Sequence, residues 1–395
     1  MTTAIAESLG TERLDLDTVI ELSRRTDPTG VVSIYLDARP GTLRAASIDI
    51  KNRLAELRRG VAGDGSAEPA RLVQEGIARV ETEIERLIDP EEPGRGRVLF
   101  AAIDDGWLTR VATQIPLSNR VALGRGPLIH PLLEVLDEGA PAGVVLASRS
   151  EARLFEWRLG ELALLRTLEA ELPEPGQDRP GPVGSRPAHR YGTPTGEQRN
   201  ARERAQAARF IERVAAATTR LAHDRSWEQV LVSAGERQTD SLVEGLPPAL
   251  RATALRDPRV LLRLDFPTLE DIVTERLHHA HAAFERGLIG QVRERAQQAE
   301  GAALGLSEVV GTLNQARVAH LIYDPFVRYR GSVGRDGSLY AGDERAPTYD
   351  STPDERLTER MVERALETGA RVTPVEGAAN DGLAEASGIA ALLRW

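Results

Sequence analysis

Three groups of residues in this 395-residue sequence have types and spacings that could do chemistry. The first is a set of arginines. Between Gly176 and Val214 there are eight arginines against four acids, Asp178, Glu197, Glu203 and Glu212, a local charge of +4 in a chain of net charge −10. On a helix turning about 100° per residue, Arg202, Arg209, Arg213 and Arg220 fall within about 20° of one direction, while Phe210, Ile211, Val214 and Leu221 gather roughly 110° away. One face is then core and another is an arginine ridge, whose planar, permanently charged donors suit successive phosphates. A solvated face pairing with Glu203 and Glu212 is the alternative. The second group is a pair of glutamines that could hold a hydrolytic water, Gln177 in Pro175-Gly176-Gln177 and Gln198 in Gly196-Glu197-Gln198, with His189 and Glu197 as nearby acid/base groups. Gln198 falls on the first turn of the basic helix, beside a Thr195 or Gly196 cap, where an ordinary helix residue is expected. The third group is His278, His279 and His281. A metal there needs a third ligand, for which Glu285 is the candidate, but a partly buried helix face is the expectation.

Two weaker signals complete the set. Asp104 and Asp105 follow a strand, as nuclease carboxylates would, yet Asp-Asp-Gly is also a common turn. SAGERQTD after the strand at Gln229 could cradle a phosphate at a helix N-terminus. It has neither a Walker nor a dinucleotide pattern, so it reads as a helix start. No metal and no nucleotide cofactor are implied.

Composition narrows the classes. The sequence has no cysteine, which excludes thiolate catalysis, disulfides and Cys-ligated zinc and is compatible with a reducing cytoplasm. MTTAIAESLGTERLDLDT lacks a basic segment followed by an apolar one, and nowhere do about eighteen apolar residues run together, so neither a secretory signal nor a membrane span is expected. The acidic balance argues against a protein that coats nucleic acid over its whole surface, while local patches remain able to bind phosphate. Lys51 is the only lysine.

The elements that must position these residues form three segments, all of α/β type with an α+β N-terminal part. The first, 1–140, has a strand at VVSIYLDA, helical periodicity from Arg44 to Arg59 and from Ala70 to Ile88, a buried strand at RVLFAAID, and an end near Gly139. The second, 141–267, has three strand-like runs broken at 148–151 and at Gly160, then a loop, 173–198, then the arginine-rich helix, a strand at QVLVSAG and a helix at TDSLVEGL. That loop holds six prolines and five glycines in twenty-six residues and cannot pack as core. The third, 268–395, opens with a long helix and alternates helix and strand to a C-terminal GIAALLRW, interrupted by a Gly/Asp/Tyr-rich excursion at 325–353.

In this order the second and third segments resemble a known family. Three strands, a Gly-rich loop, a basic helix ending RVAAATTRL and the strand QVLVSAG are similar to the central domain of archaeal and eukaryotic class-1 peptide-chain release factors and Pelota. GAALGLSEVVGTLNQARVAHLIYD, RVTPVEG and EASGIAALLRW are similar to their C-terminal domain, which has the fold of the kink-turn-binding ribosomal proteins. The whole chain resembles the bacterial branch of that superfamily, which includes the ribosome hibernation factor Balon and its actinobacterial relatives. The resemblance implies a cytoplasmic, monomeric factor of the ribosomal A site, with the 70S ribosome, its rRNA and a GTPase such as elongation factor Tu as partners. Arg190, Arg199, Arg202, Arg209 and Arg213 would then contact rRNA. It also exposes a departure. Release factors carry Gly-Gly-Gln at the tip of the loop, where the glycines admit the backbone and the glutamine orients water. This sequence has no Gly-Gly-Gln. Counting back from Val214, the tip falls near Pro194. No stop-codon-reading motif is recognisable in the first 140 residues either. The expectation is a hibernation or rescue-type factor that does not release peptide, the alternative being a peptidyl-tRNA hydrolase or tRNA-cleaving enzyme using Gln198 or Gln177.

Overall fold

The computed structural model describes residues 14–63, 67–170, 196–298, 301–342, 351–354, 356–375 and 382–395, with the backbone alone at 61–63, 67–70 and 196–203. The described chain divides into two compact units, Met1–Gly139 with His281–Trp395, and Ala140–Ala280. One division falls between Gly139 and Ala140 and the other between Ala280 and His281. The first and third sequence segments share a unit, and the long helix that opens the third is shared between the two units.

The N-terminal part of the first unit is built on α1 (Leu16–Arg24), β1 (Val31–Asp37), α2 (Leu43–Gly63), α3 (Ala67–Arg79), α4 (Glu81–Leu87), β2 (Gly96–Ala102), β3 (Leu108–Thr113), β4 (Arg120–Gly124) and α5 (His130–Glu138). The strands form an antiparallel sheet in the order β3-β2-β1-β4. VVSIYLD is buried on both faces because it is central. On one face Val32, Ile34, Leu36, Leu99 and Ala101 pack on Ile50 and Leu54 of α2 and Ile77 of α3. On the other face Tyr35 meets Phe100 edge-on at 5.9 Å and donates its hydroxyl to the Leu128 carbonyl. The periodicity read from Ala70 to Ile88 as one helix is two, broken at Val80.

The C-terminal part adds β10 (Ala302–Leu304), α10 (Gly305–Asn314), β11 (Val318–Tyr323), β12 (Gly331–Gly334), β13 (Leu339–Ala341), β14 (Ser351–Asp354), α11 (Leu357–Glu367), β15 (Arg371–Pro374) and β16 (Ile389–Leu393). One sheet runs β10-β16-β11-β15, with β11 and β15 parallel. Leu288, Ile289 and Val292 pack on its Ile322, Ala390 and Leu392. The 325–353 excursion supplies a separate small sheet, β13-β12-β14. Gly331 is required there, since a Cβ would lie 2.1 Å from the Tyr340 carbonyl oxygen.

Buried polar contacts tie the N- and C-terminal parts together. His130 Nδ1 lies 2.7 Å from the Tyr323 hydroxyl. Asp137 Oδ1 accepts from Arg371 Nη2 at 2.6 Å, and its Oδ2 accepts from Thr373 Oγ1 at 2.7 Å. Burial, then the charges of Arg120 and Arg356, hold His130 down to about 4, so it is neutral near pH 7.

The second unit contains β5 (Ala142–Ala147), β6 (Glu151–Arg158), β7 (Glu161–Glu169), α6 (Gly196–Arg225), β8 (Gln229–Ser233), α7 (Glu236–Glu244), α8 (Pro248–Ala252), β9 (Ala254–Asp257) and the first half of α9 (Phe266–Gln297). Its sheet order is β7-β6-β5-β8-β9, antiparallel on the β6 and β7 side and parallel from β5 to β9. α6 and α7 cover one face through Phe210, Val214, Leu242 and Val243 on Val145, Leu154, Val230 and Val232. α9 lies against β6, where Trp157 Nε1 donates to Thr274 Oγ1 at 3.0 Å. The three strand-like runs at the start of this unit are β5, β6 and β7, broken at 148–150 and 159–160 as the sequence suggests.

Candidate nucleic-acid interface

The ridge is built by α6, which runs thirty residues from Gly196 to Arg225. Its buried face is Phe210, Ile211, Val214, Ala215, Ala217 and Thr218, and Leu221 is half-buried. Thr218 is tolerated in that face because its hydroxyl donates to the Val214 carbonyl at 2.8 Å. The far end of the helix is fixed to β6, where Glu156 accepts from Trp227 Nε1 at 3.1 Å and lies 3.3 Å from Arg225 Nη1. A helix held in this way presents its remaining face to solvent in a set direction.

Arg209, Arg213 and Arg220 lie on that outer face, and all three are exposed, as the 3.6-residue period requires. Arg213 also has a structural role. Its guanidinium sits 5.9 Å from the Phe210 ring, and its Nη2 donates to the Glu169 carbonyl at 3.4 Å. Among the described residues Glu212 makes no ion pair with the ridge, so the salt-bridged alternative is not met at that residue. Arg199, Arg202, Glu197 and Gln198 lie on the first turns of α6, with side chains outside the described residues, as is that of Glu203. Gln177, His189, Arg190 and Pro194 lie outside the described residues altogether. The structure therefore brings together Arg209, Arg213 and Arg220 on one surface and places Gln198 in a helical backbone.

The weaker candidates resolve into structural roles. The backbone N–H groups of Asp104 and Asp105 both donate to Asp27 Oδ2 at 2.9 Å, and those of Thr29 and Gly30 donate to Oδ1 at 2.9 and 2.7 Å. Asp27 thus ties two turns together, a role the sequence did not reveal because the partners are 77 and 78 residues away. SAGERQTD is a helix start. Gly235 takes φ 75°, and Thr239 Oγ1 accepts from the Ala234 N–H at 3.1 Å. His281 Nε2 lies 3.5 Å from Glu285. Burial acts to lower its pKa and is outweighed by Glu285 and Asp137, which raise it. His278 meets Trp157 edge-on at 6.1 Å. Among the described residues no group of three or more His, Asp or Glu side chains is placed to hold a metal ion. No described helix is long and apolar enough to cross a membrane.

Residues 127–300 match the family described as Bacterial archaeo-eukaryotic release factor family 10. None of the curated proteins matches the chain. Among solved structures, the archaeal translation termination factor aRF1 aligns at 15% identity over 96% of this chain and 96% of its own, with a TM-score of 0.25. Pelota of Archaeoglobus fulgidus aligns at 16% identity over 76% of this chain and 79% of its own, with a TM-score of 0.30. Archaeal Pelota, from a ribosome-bound assembly with ABCE1, aligns at 15% identity over 98% and 95%, with a TM-score of 0.42. The matched residues, 127–300, carry β5 to β9, the arginine-bearing helix and α9, and this part of the chain is similar to that bacterial release-factor family.

Proposed function

We propose that this protein is a translation factor that binds the ribosomal A site as a hibernation or rescue-type factor, without releasing peptide. The observation that carries the reading is the exposed face of α6. It sets Arg209, Arg213 and Arg220 on one side of a helix whose other side is core, inside the segment that matches a release-factor family. A row of guanidinium groups on a helix anchored at its far end suits the phosphates of structured rRNA. The acidic remainder of the chain would limit binding to RNA elsewhere. In this reading the protein acts in the cytoplasm as a monomer on the 70S ribosome, with elongation factor Tu as a delivery partner. The sequence lacks the Gly-Gly-Gln that would hold water against a peptidyl-tRNA ester, which supports a non-catalytic role.

The test is co-sedimentation with 70S ribosomes across salt concentrations, with and without elongation factor Tu, followed by a single-turnover release assay. Replacing Arg202, Arg209 and Arg213 with alanine should weaken binding and lower the salt slope by about one unit per lost phosphate contact. Unchanged binding at every salt concentration would refute the ridge. Peptide release well above background that disappears in Gln198→Ala or Gln177→Ala would make the protein a hydrolase instead.

A further inference from the structure

A second basic stripe lies on α2, in the other compact unit. The helix buries Leu43, Ala46, Ile50 and Leu54 against the sheet. With about 100° per residue, Arg44, Lys51, Arg58 and Arg59 occupy an arc of about 100° centred away from that core, together with Ile48 and Ala55. The acids of the helix, Asp49 and Glu56, fall outside the arc, and Asp49 is engaged by Arg53 at 3.0 Å. Arg44, Lys51 and Arg59 are exposed, Arg58 is half-buried, and Ile48 is 57% exposed. None of the four cations has an ion-pair partner among the described residues. The stripe runs about 22 Å along the helix axis.

Resting on the reading that the protein works on an RNA particle, we propose that this stripe is a second RNA-contacting surface, gripping the phosphate backbone of a structured RNA. Four cations with no acid among them, on a chain of net charge −10, are complementary to a row of phosphates. An anionic membrane is a poorer fit, because an interfacial helix needs its broad apolar face free, and here that face is in the core. A protein partner is also a poorer fit, because the stripe offers no aromatic anchor and only Ile48 as a large apolar group.

The experiment uses the full chain and a protein-free RNA hairpin of mixed sequence as the probe, titrated between low and moderate salt. It therefore stands apart from the ribosome assay. Arg44→Gln, Lys51→Gln and Arg59→Gln combined should weaken hairpin binding at least tenfold at low salt and reduce the salt slope by about two to three units. Lys51→Arg should restore most of the Lys51 share, and Arg53→Gln, on the other side of the helix, should change little. If the triple variant unfolds, the three single substitutions carry the comparison, each lowering the slope by about one unit. Failure of the wild type to bind the hairpin would overturn the proposal. So would an equal loss in Arg53→Gln, an unchanged slope in the stripe variants, or a loss confined to binding of anionic phosphatidylserine vesicles. Loss of hairpin binding with ribosome association absent in the wild type would keep the stripe and remove the ribosomal reading.

Discussion

Asp27→Asn is the substitution for which the structure allows the most detailed expectation. The carboxylate is 1% exposed and accepts four backbone N–H donors, two on each oxygen. Asparagine keeps one acceptor oxygen and turns an NH₂ toward the other two donors. Two charge-assisted hydrogen bonds are lost, each worth about 1.5–3 kcal/mol net, and two buried donors then face a third. Allowing for non-additivity, the loss should be about 3–4 kcal/mol. In a unit of this size each kcal/mol moves Tm by about 2–4 °C, so Tm at pH 7 should fall by about 10 °C. The pH dependence follows from the same contacts. Burial opposes the charged form, but the four N–H donors outweigh it and hold the carboxyl below its usual range. A group with a lowered folded pKa contributes stability that is complete above its unfolded value, about 3.9, and is lost as pH falls through the folded pKa. The gap between wild type and Asp27→Asn should therefore be widest above about pH 5 and shrink below about pH 4. Thermal melts of the full chain followed by circular dichroism at several pH values measure both effects. A Tm shift under about 2 °C at pH 7 would show that the turns do not depend on this carboxylate.

Two further outcomes are expected. Asp137→Ala removes the acceptor of Arg371 and Thr373 and leaves the Thr373 hydroxyl, 1% exposed, with His320 Nε2 at 2.8 Å as its remaining partner. Since Arg371 is partly solvated, the loss should be about 2–3 kcal/mol, and an Asp137→Ala/Arg371→Met double-mutant cycle by urea denaturation should give a coupling of at least about 1 kcal/mol. Gly143→Ala places a Cβ 2.3 Å from the Trp227 ring, so the ring must move off β5. A cost of about 1–3 kcal/mol is expected, together with a changed Trp227 fluorescence, and an unshifted melt with unchanged emission would contradict it.

The sequence by itself determined the elements with strong periodicity. VVSIYLD, RVLFAAID, QVLVSAG and VAHLIYD are strands because their β-branched and apolar density suits central positions, and α2, α6 and α11 carry the helical period along their length. The ridge was legible for the same reason. A core stripe of Phe210 and Val214 fixes which side of the helix is out, so the exposure of Arg209, Arg213 and Arg220 follows from spacing alone. The stripe on α2 is written in the same period, but it drew no notice because its charges are spread over sixteen residues rather than clustered. The short strands β9, β10 and β12 to β14 were not legible. They have three or four residues each, too few to show a period, and they form by pairing with strands already in place. Long-range polar partners were equally hidden. Asp27 and Asp137 look like ordinary surface acids in the sequence, and only tertiary structure, by bringing backbone donors 77 residues away and an arginine 234 residues away to them, made them buried acceptors. Which segments share a core was decided at that level too, since burial depends on contacts between distant parts of the chain that no local pattern encodes.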